Sequence, residues 1–403
     1  MSIVFLSPTG QTGGAEAALH ELLAGLRESH PSWSLSLIVA SDGPLVARVE
    51  ALGVPVQIVP FPASLARLGD WSLRAGLWPR VVFMTRCARV AWPTLTYLRR
   101  LRRLLRAMAP DIVHTNGLKM HLLGAWARPR NTAVLWHLHD YAGRRPFMAR
   151  LLRLCAHRCS TVVANSQSVA ADVRQVCGEG VEIHPVWNAV DIDRFSPRGP
   201  RLDLDALSGL ATADGLLRVG LVATFARWKG HGTFLKALAM LPSSLPVRGY
   251  VIGGPVYETA GSQTSLAELR EQADSLGLGS RVGFTGFVQD SAAAMRSLDI
   301  IVHASTDPEP FGLVIAEGMA CGKPVVASRA GGALELTQSG TNALEHTPGD
   351  AQALAQRIEE LARDAGLRQR LGDTGRATAE RCFTRHRLAG DLTPIYQALV
   401  HVH

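Results

Sequence analysis

The chain has 403 residues, more than one hydrophobic core usually organises, so two domains are expected. Its composition, 47% hydrophobic and 19% charged, excludes a disordered chain and a collagen-like one. The net charge is +8 and is unevenly distributed. Residues 1–190 hold 21 Lys and Arg against 11 Asp and Glu, whereas residues 191–403 hold 21 Lys and Arg against 23 Asp and Glu.

The first residues, Met-Ser-Ile-Val-Phe-Leu-Ser-Pro, lack the basic segment and cleavage site of a secretory signal. No apolar run reaches the roughly 18 residues that a membrane span needs. We therefore expect a cytoplasmic protein, peripheral at the inner face of the membrane if it binds one. Six Cys are too scattered for a disulfide framework. The close pair Cys155 and Cys159 lacks the second ligand pair of a zinc site, so buried thiols are expected.

Short apolar runs alternate with longer amphipathic stretches along the whole chain. Runs typical of buried strands cover residues 3–6, 35–39, 54–59, 112–114, 133–136 and 161–164, and then 217–223, 247–252, 282–285, 300–303 and 324–327. Helical patterns cover residues 15–28, 166–176, 265–276 and 312–320, and residues 350–402 are helical throughout. This alternation predicts an α/β protein with two Rossmann-like domains, each with a parallel sheet, and a cleft between them. Residues 193–215 form the predicted linker.

Residues 71–110 hold nine Arg and no acidic residue, with three Trp, one Phe and one Tyr between them. A basic and aromatic stretch of this kind favours an anionic membrane surface or an anionic acceptor as partner. Nucleic acid is not expected, because no recognised nucleic-acid module accompanies the stretch. For residues 97–108, a solvated helical face is the alternative.

A glycine-rich loop follows the first predicted strand and leads into a helix. Gly10, Gly13 and Gly14 allow backbone N–H groups to approach a ligand, and a helix N-terminus favours an anion. The spacing fits neither a dinucleotide fingerprint nor a phosphate-binding P-loop. A tight structural turn is the alternative.

Two imidazoles close another predicted strand. His137 and His139 share one face at the period of a strand, so either could meet a substrate hydroxyl or phosphate at the strand's carboxyl end. The alternative is a hydrogen-bonded histidine packed beside the cleft. In the second half, Arg227 and Lys229 stand at a strand-to-helix junction and predict a diphosphate clamp, with a solvated basic loop as the alternative.

The strongest signal is the segment Asp307-Pro-Glu309-Pro-Phe-Gly312-Leu-Val-Ile-Ala-Glu317. Glu309 lies in a loop and Glu317 in the helix that follows, so the two carboxylates share one side if that helix begins early. Gly312 at the helix start exposes N–H groups suited to a phosphate or a sugar.

At this point the sequence resembles the GT-B glycosyltransferases of the large family 4 type. Glu309 and Glu317 form the E-x7-E pattern of that family. Other pieces follow in the family's order: Gly13-Gly14-Ala15-Glu16, Asp111-Ile-Val-His114, His139-Asp140, Asn165-Ser166, Asn188-Ala-Val-Asp191, Lys229-Gly230 and Gly331-Gly332. The resemblance covers nearly the whole chain.

The resemblance implies a role for each matching position. The implied catalytic residues are His139, Arg227, Lys229 and Glu309. The implied donor-binding and nucleotide-binding residues are Gly13, Gly14, Glu16, Arg227, Lys229, Phe311, Gly312, Leu313 and Glu317. Glu309 would hold the hydroxyls of the donor sugar and Glu317 the ribose, while Arg227 and Lys229 would neutralise the leaving diphosphate. His139 would line the acceptor face.

Two departures from the family pattern stand out. The Arg that usually lies five residues before the Lys is replaced by Thr224, so Arg227 is the candidate substitute. The usual Asn-Gly before the linker is Asn188-Ala189. Asp191-Ile-Asp193 matches a metal-binding D-x-D, but its place in the linker motif predicts a structural role, and no metal or other cofactor is expected.

The resemblance implies a retaining, metal-independent transfer from a nucleotide-diphosphate sugar to an acceptor hydroxyl. The arginine-rich residues 71–110 favour a lipid-linked or otherwise anionic acceptor, and a lipid-linked or cell-surface glycan precursor is expected. The expected domains are an acceptor-binding domain at residues 1–192, a donor-binding domain at 193–385 and a C-terminal helix at 386–403 that crosses back to the first. A sugar-nucleotide epimerase of the same fold and a non-catalytic nucleotide-sugar-binding protein are the alternatives.

Overall fold

The computed structural model of the chain describes residues 1–66, 77–255 and 263–401, with side chains of the helix that begins at Leu77 described from residue 91 onward. The chain divides into two compact units. Unit 1 contains residues 1–189 together with the C-terminal residues from Arg385, and unit 2 contains residues 190–384.

Unit 1 is built on one parallel sheet. Its strands are β1 (Ser2–Ser7), β2 (Ser34–Val39), β3 (Val56–Ile58), β4 (Ile112–Asn116), β5 (Ala133–Leu138), β6 (Thr161–Ala164) and β7 (Ile183–Pro185). Their order across the sheet is β3-β2-β1-β4-β5-β6-β7. Its first helices are α1 (Gly14–Ser29), α2 (Pro44–Glu50), α3 (Ala63–Ala66), α4 (Leu77–Met108), α5 (Leu118–Ala127), α6 (Pro146–Cys155) and α7 (Gln167–Cys177).

Strand β5 illustrates why a continuous apolar run forms the middle of this sheet. All six of its residues are buried, and they alternate between two apolar clusters, with Val134 and Trp136 in one and Leu135 in the other. Because successive side chains of a strand point to opposite faces, a strand covered on both sides is apolar at most positions, and His137 is the polar exception in β5.

Unit 2 repeats the architecture. Its strands are β8 (Leu217–Val222), β9 (Val247–Ile252), β10 (Val282–Gly286), β11 (Ile300–His303), β12 (Val325–Ser328) and β13 (Leu344–His346), in the order β10-β9-β8-β11-β12-β13. Its helices are α8 (Leu204–Ser208), α9 (His231–Met240), α10 (Leu266–Ser275), α11 (Ser291–Arg296), α12 (Leu313–Ala320), α13 (Ala333–Leu336), α14 (Ala351–Arg363) and α15 (Ala365–Cys382). All pairings in both sheets are parallel, so the prediction of two Rossmann-like domains is confirmed.

Helix α8 shows that the prediction of residues 193–215 as a linker was wrong in part. Asp205 of this helix is buried and accepts hydrogen bonds from Tyr250 Oη at 2.5 Å, Arg248 Nη1 at 2.6 Å and Arg218 Nη2 at 3.1 Å. These donors lie on β8 and β9, so the segment is fixed to the sheet of unit 2. Its polar composition reflects a buried ion cluster as well as solvent exposure.

The C-terminal helix α16 (Arg385–His401) returns to unit 1, as the sequence predicted. It packs on α1 at Gly25, where a Cβ would lie 2.4 Å from the Arg385 carbonyl oxygen, so glycine is needed for this close approach. Arg385 pairs with Glu21 of α1 at 3.1 Å, and buried Tyr396 contacts β4 at His114. Among the described residues, no helix combines the length and the apolar character that crossing a membrane requires.

Candidate functional site

The loops after β8 and β11 are locked together in unit 2. The first contains a 3-10 turn, Arg227–Lys229, and ends at Gly230, whose φ is 77°. A Cβ at Gly230 would lie 1.8 Å from the carbonyl oxygen of Ala304, so only glycine permits this approach. The Thr306 N–H donates to the Trp228 carbonyl at 2.8 Å. The two loops are therefore held in one arrangement by backbone contacts.

This arrangement brings Lys229 and Glu309 into direct contact. The Lys229 Nζ lies 2.8 Å from Glu309 Oε1 and 2.9 Å from Oε2, with side-chain exposures of 18% and 11%. The ammonium also lies 4.0 Å from the centre of the Trp228 ring, a cation–π contact. A cation and a carboxylate, 80 positions apart in sequence, thus form one partly buried ion pair.

Glu309 has further polar partners at Oε2, an oxygen that Lys229 also contacts. Ser305 Oγ donates to Glu309 Oε2 at 2.9 Å, and His303 Nε2 lies 3.3 Å from the same oxygen. Burial alone would raise the pKa of Glu309, but the Lys229 charge and the His303 contact outweigh it and hold that pKa well below its usual range. Glu309 is therefore a carboxylate at neutral pH.

The backbone of Glu309 is fixed as firmly as its side chain. Its carbonyl accepts the Gly332 N–H at 2.7 Å, and the residue pairs with Gly331 in a parallel bridge. A Cβ on Gly332 would lie 2.1 Å from the Pro310 carbonyl oxygen. The Gly331-Gly332 motif thus allows the loop that carries Glu309 to close onto the segment after β12.

Helix α12 begins at Leu313, four residues after Glu309, so Glu309 and Glu317 do not share a face of one helix. Gly312 caps the helix with φ 102°, in the left-handed region that favours glycine. Phe311 is buried and meets Phe383 edge-on with the ring centres 6.0 Å apart. Leu313 and Glu317 are half-buried in the first and second turns.

Arg227 occupies a different environment from Lys229, although both belong to the same turn. Its side chain is 57% exposed, and Nη2 lies 3.3 Å from Oε1 of Glu268, at the start of α10. The structure thus pairs Arg227 with Glu268. Thr224, the position where the family has its Arg, is half-buried in the same loop.

In unit 1 the glycine-rich loop is partly a tight structural turn. A Cβ on Gly10 would lie 2.5 Å from the Ser41 carbonyl oxygen, so Gly10 serves a close backbone approach. Gly13 caps α1, Gly14 is its exposed first residue, and Glu16 is half-buried in the first turn. Burial raises the pKa of Glu16, although backbone N–H groups partly oppose the shift.

The imidazoles at the ends of β4 and β5 form a neutral cluster. His139 Nε2 lies 2.9 Å from Asn116 Oδ1, and the His139 ring is 4.1 Å from that of His137. His137 Nδ1 lies 3.2 Å from His114 Nε2, and His114 Nδ1 lies 2.8 Å from Tyr396 Oη. Burial lowers the pKa of His139 to about 4, so this ring is uncharged at neutral pH.

The sequence reasoning missed the residues behind Glu309. The apolar pattern places His303 at the end of a buried strand and gives no role to Ser305 or Ser328. A polar side chain that ends an otherwise apolar strand, six residues before a candidate carboxylate, was the available signal. Carboxyl ends of parallel strands carry ligand-binding groups in such folds.

In the part of the chain that the structure describes, no group of three His, Cys, Asp or Glu side chains could hold a metal ion. Asp191 Oδ1 accepts hydrogen bonds from the N–H groups of Asp193 and Arg194, which makes a local turn.

The basic stretch at residues 71–110 falls partly outside the described residues, since residues 71–76 and the side chains up to 90 are not described. From residue 91, α4 buries Tyr97, Leu101 and Leu105, which are spaced four apart. Its other side exposes Trp92 and five arginines: Arg99, Arg100, Arg102, Arg103 and Arg106.

Two family models match the chain. The one described as glycosyl transferases group 1 matches residues 210–378, and the one described as glycosyltransferase family 4 matches residues 12–194. Together they span most of both units.

Named relatives agree with these models. The lipopolysaccharide core biosynthesis glycosyltransferase LpsE of Rhizobium meliloti (strain 1021) is 32% identical over 224 residues, which are 56% of this chain and 60% of that protein, less than two thirds of its length. The N-acetyl-alpha-D-glucosaminyl L-malate synthase of Bacillus anthracis is 24% identical over 71% of this chain and 74% of that protein.

Solved structures extend the likeness to the whole chain. Crystal structures of Anabaena Alr3699/HepE in complex with UDP and with UDP-glucose cover 99% of this chain and 100% of their own, with 27% sequence identity and TM-scores of 0.78 and 0.77. The parallel sheets of both units agree with this likeness. The chain therefore belongs to the GT-B glycosyltransferases of the family 4 type.

Proposed function

We propose that this glycosyltransferase moves a sugar from a nucleotide-diphosphate sugar to an acceptor hydroxyl, with retention of the anomeric configuration and without a metal ion. The observation that carries the proposal is the contact between Lys229 and Glu309. A cation suited to a diphosphate lies 2.8 Å from a carboxylate suited to sugar hydroxyls, at the carboxyl ends of two neighbouring strands.

Unit 2 is the proposed donor-binding domain. Lys229 neutralises the diphosphate, and Glu309 accepts hydrogen bonds from the donor sugar. Phe311, Gly312 and Leu313 offer backbone groups at the start of α12, where a helix has unpaired N–H groups and a partial positive charge. Glu317, one turn further along, binds the ribose.

Arg227 has a smaller part in this scheme than Lys229. Its exposed side chain is held by Glu268, so it must leave that pair to reach the diphosphate. An exposed ion pair is weak, typically about 0.2–1 kcal/mol, so a diphosphate can displace it. We assign Arg227 a supporting electrostatic role.

Unit 1 is the proposed acceptor-binding domain. We assign acceptor binding to residues 1–192 and donor binding to residues 193–385, and residues 386–403 are a helix of the acceptor-binding domain. Gly13 and Gly14, with Glu16, approach the donor from the start of α1. His139 lines the acceptor face. Because its ring is uncharged at neutral pH, it can exchange hydrogen bonds with a hydroxyl without holding a counter-ion.

The proposed mechanism is a front-face transfer. The bond between the anomeric carbon and the diphosphate oxygen breaks as the bond to the acceptor oxygen forms on the same face, and the acceptor proton passes to the departing diphosphate. Positive charge develops at the anomeric carbon while negative charge grows on the diphosphate. Lys229 and the N-terminus of α12 stabilise that negative charge by preorganised electrostatics, which replaces a divalent cation.

UDP-sugars are the first donors to test, because Alr3699/HepE is described in complex with UDP and UDP-glucose. The screen measures thermal stabilisation and slow hydrolysis of UDP-, GDP-, ADP- and dTDP-sugars, each without metal and with EDTA. We expect one donor to stabilise the protein and to be hydrolysed, and EDTA to leave both effects unchanged.

Matched variants make the screen specific to the site. K229A and E309A should lose stabilisation and hydrolysis, while K236A and E271A, which change exposed residues of the same unit, should keep them. If no nucleotide sugar binds, or if the two site variants behave like their controls, the proposal is wrong.

The acceptor is proposed to be lipid-linked or otherwise anionic and to be met at a membrane surface. The support is the exposed side of α4, where Trp92 is 68% exposed beside exposed arginines. A basic helix face with an aromatic residue binds anionic lipid through charge and partial insertion. Flotation with liposomes at low salt tests this, and equal recovery on neutral and anionic vesicles would contradict it.

A further inference from the structure

His303 ends β11 with its ring 3% exposed, and the hydrogen bonds around it fix which nitrogen carries the proton. The backbone N–H of Ser328 donates to Nδ1 at 3.3 Å, so Nδ1 is an acceptor and Nε2 carries the ring proton. That Nε2–H faces Glu309 Oε2 at 3.3 Å and Ser305 Oγ at 3.1 Å.

Ser305 completes the contact from the same loop. Its hydroxyl donates to Glu309 Oε2 at 2.9 Å, while its oxygen can accept from His303. Oε2 of the carboxylate thus receives two donors from the β11 end, and Lys229 approaches both carboxylate oxygens from the other loop.

The two donors, His303 and Ser305, are held in place by the sheet and by further hydrogen bonds. Strand β11 lies inside the sheet, paired with β8 on one side and β12 on the other. Ser328 Oγ donates to the Ser305 carbonyl at 2.6 Å, and His346 Nε2 lies 3.2 Å from the His303 carbonyl oxygen. A functional group is oriented best by side chains that are themselves locked by packing and hydrogen bonds.

We infer that His303 is a positioning residue for Glu309, an inference that rests on the proposed function. In the absence of donor, Lys229 contacts both oxygens of Glu309. A diphosphate competes for the same ammonium, so the hold of Lys229 on the carboxylate weakens when the donor binds. His303, helped by Ser305, then keeps Oε2 in place, and the carboxylate stays directed at the sugar.

Two kinds of ligand should depend on His303 to different extents. A nucleoside diphosphate needs Lys229 but not an oriented Glu309, whereas the intact sugar nucleotide needs both. Loss of the His303 donor should therefore weaken binding of the sugar nucleotide and leave the diphosphate unaffected. A general structural defect in unit 2 would weaken both.

The test compares UDP with UDP-glucose by titration calorimetry on the full chain, or the corresponding pair from the donor screen if another nucleotide binds. For H303L we expect UDP affinity to stay within about twofold and UDP-glucose affinity and kcat each to fall about tenfold or more, the range for a lost hydrogen bond to a charged group. H303Q should recover most of both, because the glutamine amide can place an N–H near the position of Nε2.

Y250F is the matched control, since Tyr250 is also buried in unit 2 but contacts Asp205 rather than Glu309. It should lower stability and leave the ratio of the two affinities unchanged. Equal weakening of UDP and UDP-glucose in H303L, or no recovery in H303Q, overturns the inference.

A second readout needs no donor. Nitrogen-15 spectra of the His303 ring should show the Nε2–H tautomer, and E309Q should shift the Nε2 resonance. An unchanged resonance in E309Q overturns the inference by itself. Failure of the wild-type protein to bind any nucleotide in the screen contradicts the proposed function instead, so the two failures are distinguishable.

Discussion

Replacement of Lys229 by Met removes the cation of the central ion pair and keeps the length of the side chain. The Glu309 side chain is 11% exposed, and its carboxylate would keep Ser305 and His303 as partners but lose the ammonium at 2.8 Å. Removal of one partner of a buried pair typically costs about 3–5 kcal/mol. Because Lys229 is 18% exposed, we expect the lower end, about 3 kcal/mol in the free energy of unfolding of unit 2.

The loss should depend on pH with a definite sign. In the wild-type protein the pKa of Glu309 lies well below its unfolded value, so this group contributes stability above the unfolded pKa and loses it as pH falls. In K229M the attraction to the cation is absent, so burial is opposed mainly by the His303 contact and the pKa of Glu309 is lowered less than in the wild type. The difference between the two proteins should therefore be largest near pH 7 and shrink below about pH 4.5.

Thermal unfolding at pH 7 and pH 4 measures this difference. About 3 kcal/mol corresponds to a fall of roughly 6–12 °C in the Tm of a unit of this size. K236M, which changes an exposed Lys of α9, should leave the Tm unchanged. The double variant K229M/E309Q should lie closer to the wild type than K229M does, because it leaves no buried charge unpaired.

Two results would refute this reasoning. One is a Tm of K229M within about 1 °C of the wild type at pH 7, far less than the ion pair predicts. The other is an equal loss at pH 7 and pH 4, which would assign the effect to packing rather than to charge.

Three further variants test other parts of the structure. D205N should cost about 3–5 kcal/mol in urea unfolding of unit 2, because the buried carboxylate loses its charge among two arginines. Y396F should cost about 1–3 kcal/mol and speed hydrogen exchange in α16, because His114 Nδ1 loses its hydrogen-bond partner. G230A should weaken UDP binding and lower stability, because its Cβ would meet the Ala304 carbonyl and displace the turn that carries Lys229. Unchanged UDP binding would contradict the rigid link between the two loops.

The sequence predicted the fold because long buried strands in a parallel sheet carry continuous apolar runs. It did not indicate β7 (Ile183–Pro185) or β13 (Leu344–His346). Each has three residues and lies at the edge of its sheet, and each contains a His. An edge strand is paired on one side only, so it needs no long apolar run and leaves little pattern to read.

Lys229 and Glu309 could each be singled out from sequence, but their contact could not. It depends on β8 lying beside β11, which places two loops 80 positions apart against each other. The different environment of Arg227 was equally hidden. A turn of three residues directs neighbouring side chains to different sides, and only the fold decides which one faces the carboxylate.

The ion pair also explains how the Glu309 carboxylate can be ionised before a donor binds. A carboxyl group buried without a cation takes up a proton and becomes a hydrogen-bond donor, which suits a sugar hydroxyl less well than a carboxylate does. Lys229 keeps Glu309 ionised in the empty site, and the same ammonium is the group that a diphosphate attracts. In the proposed function, one cation therefore serves the sugar-binding group first and the leaving group afterwards. The fixed donors at the end of β11 maintain the carboxylate through that exchange, because they belong to the sheet and do not depend on the ligand.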